Sequence, residues 1–255
     1  MSTPTTIDEA TARLVAARRS GRPAAAPELA DAEAAYAVQD GVARALGWWG
    51  DAAAPQHWKS GGASRSAPQT HARLPPAGVW ASPAEAGAWP FALRGVEAEI
   101  ALRLREPVDA ARAATLDVDG ARALVDAMCV AIELVDSRWA EALAAPTLAK
   151  LADLQSHGAL VLGPWRPFEP ARDWTAQRVE LRLGARAPLA FTGTHSMADP
   201  AWVLPAWLRH ATRDGATVPG GSVVTTGTWC GCPMAEAGEK VVASFEGVGQ
   251  AQVQL

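Results

Sequence analysis

Three observations predict an α+β fold, with a helical preface ahead of a strand-rich body. Helical periodicity is concentrated in residues 1–50, the later segments are mostly short apolar or alternating runs bounded by glycine and proline, and no segment repeats or falls to low complexity. With 255 residues, 49% of them hydrophobic, the chain can bury a sizeable core without disulfides.

The elements follow in order. Thr6 and Glu9 have capping-box spacing, Ile7, Ala10, Leu14 and Ala17 share a face, and Gly21 is a stop, so 6–20 is a helix. RPAAAP is a connector, and Asp31 then caps a second helix that turns Tyr36, Val38, Val42 and Ala45 to one side and ends at Gly47. Residues 58–89, rich in Gly, Pro, Ser and Ala, predict loops with at most short strands. Over 96–104, Val96, Ala98, Ile100, Leu102 and Leu104 face one way and Glu97, Glu99 and Arg103 the other, a strand with an acidic patch. Residues 119–128 read as helix, and 129–135 as a buried strand interrupted by Glu133. Strands are expected at 159–162 and 179–183. Asp199 before Pro200 opens a Trp-rich helix that Gly215 closes, and 223–226, 240–245 and the tail GVGQAQVQL are strands. No boundary marks a second independent domain: residues 1–50 are the preface and 51–255 one catalytic unit.

Composition narrows the function. A net charge of −4 offers no basic surface for phosphates, so the partner is a small molecule and not a nucleic acid. The N-terminus carries acids and arginines where a signal peptide needs an apolar run, and nowhere do 18 apolar residues follow one another, so a cytoplasmic protein is expected. Cys129, Cys230 and Cys232 form neither a disulfide framework nor a zinc-finger spacing, which fits a reducing compartment. Only Lys59, Lys150 and Lys240 are lysines among 23 basic residues, so each is a candidate for a role that the abundant arginine does not fill.

Glu97 and Glu99, at i and i+2 of one strand, project from one face roughly 7 Å apart and can reach one cation. Glu133, inside VAIELVD, needs a metal or a cationic partner, because a lone ionised carboxylate in an apolar run is costly. Three oxygen ligands with room for water or substrate suit Mg²⁺ or Mn²⁺ better than zinc. The plainer alternative leaves Glu97 and Glu99 on a solvated face and pairs Glu133 with Arg138 or Arg103. Lys59, between Trp58 and the Ser60-Gly61-Gly62 turn, is placed to bind a carboxylate or move a proton, or is a surface lysine beside a turn. Ser156 and His157 in LADLQSHG, and residues 225–228, offer hydroxyls and amides suited to an anion. His195 has no Ser-His-Asp or GxSxG setting and reads as a satisfied loop histidine, and the 11 tryptophans as core.

Taken together, AYAVQD, HWKSGGAS, GVEAEIALRL, AIELVDSRW, LADLQSHGALVLG, ADPAWVLPAWLRHATRDG and PGGSVVTTGTWCG, in that order, resemble the 2-keto-4-pentenoate hydratase group of the fumarylacetoacetate hydrolase superfamily. The resemblance implies a mixed β-roll or β-sandwich core of the fumarylacetoacetase C-terminal type, Mg²⁺ or Mn²⁺ on Glu97, Glu99 and Glu133, and Lys59 in contact with substrate. It also places Ser156 and Thr228 near the substrate carboxylate. It implies hydration of 2-hydroxypenta-2,4-dienoate to 4-hydroxy-2-oxopentanoate in aromatic catabolism, by a homo-oligomer that can associate with a downstream aldolase or decarboxylase. The alternatives are a 4-oxalocrotonate-type decarboxylase, an acylpyruvate hydrolase, or a catalytically silent metal-binding assembly subunit. One departure bears on the chemistry: Pro76 stands where the hydratases lead one to expect an aspartate, with Glu85 or Asp51 as candidate substitutes.

Overall fold

The computed structural model describes residues 5–50 and 52–255. Two capped helices open it. In α1 (Ile7–Ser20) the Thr6 side chain accepts from the Glu9 N–H while the Glu9 carboxylate accepts from the Thr6 N–H, and Gly21 ends the helix at φ 67°. In α2 (Ala32–Leu46) the Asp31 carboxylate accepts from the Ala34 N–H. The apolar faces of the two meet through Ala10, Leu14, Ala35, Val38 and Val42, and close over Trp139 and Ala149 from later in the chain.

The next segment holds only short strands, β1 (His57–Gly61), β2 (Thr70–Arg73), β3 (Val79–Ala81) and β4 (Ala84–Glu85), as its glycine and proline content predicts. There follow β5 (Gly95–Leu104), α3 (Ala110–Thr115), α4 (Val118–Arg122), β6 (Val125–Val135), α5 (Thr147–Ala152), β7 (His157–Leu162) and β8 (Arg166–Pro167). The last third gives β9 (Arg178–Leu183), β10 (Leu189–Thr192), α6 (Leu204–Ala211), β11 (Val223–Thr225), β12 (Lys240–Phe245) and β13 (Gly249–Gln254).

The strands form two sheets. The larger runs β2-β1-β11-β5-β6-β7-β3 with β8 on β6, and the smaller runs β10-β9-β12-β13-β4. Most pairs are antiparallel, but β1 with β11, β3 with β7 and β4 with β13 are parallel, so the sheets are mixed. Their inner faces make the main core: Val96, Ile100, Ile132 and Leu134 of the larger sheet share one apolar cluster with Leu181, Val241 and Phe245 of the smaller. The fold is α+β. Trp139, Trp207 and Trp229 are fully buried, and among the described residues no helix is long and apolar enough to cross a membrane.

Two local expectations need correction. Residues 119–128 are not one helix: α4 stops at Arg122 and β6 starts at Val125, because Val125 pairs with Leu104 and Met128 with Leu102 on β5. Pairing with a long buried strand overrides the helical preference of Ala, Leu and Met. The helix after Asp199 is α-helical only from Leu204. Its first turn, Pro200–Val203, is 3₁₀, with the Leu204 N–H bonded to Ala201 O, and Pro205 has no N–H to offer the α pattern there.

Candidate metal centre and active-site cavity

The antiparallel register of β5 on β6 sets Glu97 directly opposite Glu133, with Glu99 two positions along on the same face. This face is the one turned away from the sandwich core. One carboxylate oxygen from each of the three residues lies within 4.8 Å of the others. Like charges directly opposite across two strands repel, and here they are also desolvated: Glu99 is 2% exposed and Glu133 0%.

A cation from the neighbouring strands offsets part of this. Register carries Lys59 on β1 to Thr225 on β11, and Thr225 to Ala101 on β5, so the lysine points along the same face. Its Nζ donates to Glu133 Oε1 at 2.5 Å and to the Gln155 carbonyl at 3.3 Å. His157, the first residue of β7, meets the same Oε1 through Nδ1 at 3.0 Å. Glu133 Oε2 is buried without a partner among the described residues. Glu99 Oε2 accepts from the Gly227 N–H at 2.8 Å, and Gly227 sits at φ +106°, a conformation other side chains rarely adopt.

Burial is the largest influence on every group here. It pushes Glu97 and Glu99 above the usual carboxylate range; Glu133 pushes both further, while Lys59 opposes. For Glu133 burial acts upward too, but Lys59 and His157 prevail and hold it below its ordinary value. Burial lowers the Lys59 ammonium, yet Glu133, Glu97 and Glu99 together reverse the direction, so it stays charged. His157 is pushed down by burial and is neutral; since its partner is an ionised carboxylate, Nδ1 carries the proton. Ionised, three carboxylates and one ammonium leave a formal charge of −2 in a largely buried site. Together with the orphaned Oε2, that is the donor set a hard divalent cation fits.

A cavity of about 500 Å³ opens on this cluster, lined among others by Lys59, Glu97, Glu99, Ser156 and Thr228. Glu133 lies beneath it. Ser156 Oγ is buried and has no partner among the described residues, whereas the Thr228 hydroxyl donates to Gly231 O at 2.7 Å and accepts from the Cys230 N–H at 3.2 Å. The solvated-face alternative is contradicted: Arg103 pairs with Asp126 and Arg138 with Asp153, and neither reaches Glu133. His195 is satisfied by Thr226 O at 2.8 Å. Cys232 lines the cavity with its thiol pushed up to about 12 by burial and by Glu97, so it is no thiolate nucleophile.

Leu154, Gln155 and Ser156 are three successive left-handed residues, at φ 54°, 55° and 59°. Each costs of order 1–2 kcal/mol for a residue with a Cβ. The turn persists because Asp153 before it is clamped by Arg138 Nε at 2.7 Å and Arg18 Nη2 at 3.0 Å, and because the Asp136 N–H bonds to Ser156 O at 2.8 Å after it. It presents the Gln155 carbonyl to Lys59 and the Ser156 hydroxyl to the cavity.

Sequence reasoning named His157 only as an anion-suited loop residue, reached Gly227 only within the anion-suited stretch 225–228 and Lys150 only as a scarce lysine, and missed Gln155; all three of these last line the cavity. Only the glycine's neighbourhood, TTGTW, and the scarcity of lysine gave any local signal. Pro76 begins the 3₁₀ turn Pro76–Gly78 and lines a separate cavity of about 520 Å³, which His157 also borders. Glu85 is exposed on β4, paired in the smaller sheet with Gln254, and does not line the cavity over the three acids. Asp51 lies outside the described residues.

Among solved structures, the chain is similar to 4-oxalocrotonate decarboxylase from Pseudomonas putida G7, complexed with magnesium and adipate, at TM-score 0.79 and 16% identity over 99% of both chains. It is also similar to fumarylpyruvate hydrolase from Pseudomonas aeruginosa in complex with Mn²⁺ and pyruvate, at TM-score 0.54 and 14% identity over 78% of this chain and 88% of that one. At these identities the likeness shows the fold. No curated protein sequence matches the chain. The family described as fumarylacetoacetate (FAA) hydrolase C-terminal matches residues 28–255, with the β5, β6 and β7 motifs inside the match, and the chain belongs to that family.

Proposed function

We propose that this chain is a divalent-metal-dependent lyase of small 2-oxo acids, with Glu97, Glu99 and Glu133 as ligands of Mg²⁺ or Mn²⁺ and Lys59 as the catalytic proton carrier. The carrying observation is the buried cluster of three carboxylates within 4.8 Å, one of them held by Lys59. The similar folds solved with magnesium and adipate, and with Mn²⁺ and pyruvate, support it. Held by Glu97, Glu99 and Glu133, the ion would supply Lewis acidity towards a 2-oxo acid bound in the cavity. Ser156, whose hydroxyl has no partner among the described residues, binds the substrate carboxylate from the cavity wall, and Thr228 joins it once its hydroxyl turns from Gly231 O. Residues 51–255 act as the catalytic unit behind the 1–50 preface, in a homo-oligomer.

The first reading of the reaction is hydration of 2-hydroxypenta-2,4-dienoate, in which the 2-hydroxyl loses its proton and C5 gains one, leaving a C3=C4 double bond across which water adds, its hydroxyl to C4 and a proton to C3. Lys59 Nζ, beside the acids and still charged, delivers the C5 proton. The second reading, decarboxylation of a 4-oxalocrotonate-type acid, is favoured by one observation. Beyond the triad no carboxylate lines the cavity among the described residues, and Pro76 lines another cavity, so water attacking C4 has no dedicated base. Loss of CO₂ needs only the electron sink at C2 and a later proton. Acylpyruvate hydrolysis needs an activated water and meets the same shortage.

The test supplies Mg²⁺ or Mn²⁺ and follows the dienoate and 4-oxalocrotonate side by side. We expect slow hydration, since general acid–base help of about 10²–10⁴-fold is incomplete. Hydration at roughly 10 s⁻¹ or more would show that the missing acid is dispensable. Metal binding with neither ligand binding nor turnover would instead identify an assembly subunit.

A further inference from the structure

We propose that Lys150 receives a second carboxylate, so that the substrate is a dicarboxylic 2-oxo acid; this rests on the metal-dependent reading above. Among the described residues, the charged side chains that line the cavity are Lys59, Glu97, Glu99 and Lys150. Three of them belong to the metal cluster. Lys150 comes from α5, whose wall is otherwise Leu143 of the preceding turn, Thr147 and Leu151. Its Nζ donates to the Leu143 carbonyl at 3.1 Å, and no carboxylate lies within ion-pair distance among the described residues. Lys59, by contrast, is paired with Glu133 and also donates to the Gln155 carbonyl.

Charge complementarity follows from this inventory. The 2-oxo acid end of a substrate is accounted for by the metal cluster and Lys59. A monocarboxylic substrate would then lay an apolar tail against the one remaining cation in the lining. A dicarboxylic acid would place an anion there, and an ammonium held by a single backbone carbonyl still has two donors to give it. Lys150 is also one of only three lysines in a chain that otherwise uses arginine. The plain alternative is that Lys150 only closes the 142–144 turn.

The experiment titrates the Mn²⁺-loaded chain by calorimetry with 2-oxoadipate and 2-oxohexanoate, six-carbon 2-oxo acids that differ in the distal carboxylate alone. The parent should prefer the diacid. Lys150→Gln, which keeps a donor for Leu143 O but removes the charge, should lose about two- to fivefold in diacid affinity and nothing for the monoacid, as expected for one partly exposed ion pair. Lys150→Arg should restore the preference. Equal losses on both acids would assign Lys150 to the turn and overturn the proposal, as would no loss on either; thermal melting of each variant identifies a folding defect. Failure of both acids to bind the parent with Mn²⁺, or equal binding in EDTA, would instead overturn the metal-dependent reading itself.

Discussion

Lys59 and Glu133 form an ion pair of 2.5 Å between side chains 10% and 0% exposed, reached across 74 positions of sequence. Removing one partner of such a pair leaves a buried uncompensated charge and costs about 3–5 kcal/mol. Lys59→Met should therefore be markedly less stable in EDTA, regain much of that stability with Mn²⁺, and bind the ion at least as tightly as the parent, because the cluster becomes more negative. Turnover should fall by about 100-fold or more. Denaturant titrations with and without Mn²⁺ check this, and loss of metal binding together with Lys59 would contradict the assignment of separate roles.

His157 holds Glu133 from the other side, donating Nδ1–H to the oxygen that Lys59 also binds and leaving Oε2 for the ion. Partners that orient a ligand in this way are worth roughly 10–100-fold in metal affinity. His157→Ala should weaken Mn²⁺ binding within that range. His157→Asn, whose amide can stand in for Nδ1–H, should recover most of it. Equal affinities for the two variants would show that the imidazole only fills space.

Oxalate and pyruvate should raise the melting temperature only when Mg²⁺ or Mn²⁺ is present, since a ligand that chelates through the ion has no site without it. At 100 times the dissociation constant the stabilisation is about 2.7 kcal/mol. An equal rise in EDTA would remove the ion from the substrate site. Glu99→Gln, which keeps shape but loses a charged ligand, should weaken the ion's binding by about tenfold or more and abolish the effect at moderate metal concentrations.

A second buried cluster sets the response to acid. His71 and His210 stack with ring centroids 4.7 Å apart between β2 and α6, and both are pushed down to about 3, first by burial; His71 is then lowered by His210 and Arg213, and His210 by Arg213. Arg213 Nη1 lies 2.8 Å from His210 Nε2, which must therefore accept. These folded-state values lie below the ordinary 6.5, so the unfolded chain binds protons that the folded one refuses. Their contribution is complete above pH 6.5 and is lost as pH falls from there towards 3, by at most about 1.4 kcal/mol per pH unit for each histidine. Urea midpoints at pH 7 and pH 5 should differ less in His210→Gln than in the parent; an identical pH slope in the two would exclude the pair as the cause.

What was legible in the sequence was local. The Thr6 and Asp31 caps, the alternation of β5 and the apolar run of β6 each depend on neighbours within a turn or a strand, and each formed where expected. Val125 to Met128 misled because their helical preference is a small local term, while their pairing with β5 is a distant and larger one. In the site, Glu97 and Glu99 were readable as a pair and Glu133 as a carboxylate in want of a partner. That the partner would be Lys59, held jointly with His157, was not readable, because β1 reaches the acids only through β11. Lys150 was visible as a rare lysine, but its place on the cavity wall depends on how 136–156 folds back.

The opposition of Glu97 to Glu133 also ties assembly of the site to completion of folding. Side chains alternate along β5 and β6, so a slip of one residue between them would turn the glutamates of the displaced strand into the sandwich and its Val or Ile neighbours out towards the cavity. The register that buries Val96, Ile132 and Leu134 is thus the one that gathers the acids. A misregistered or half-formed chain would have neither a dry core nor a trap for divalent ions, and would not scavenge metal before reaching its native state.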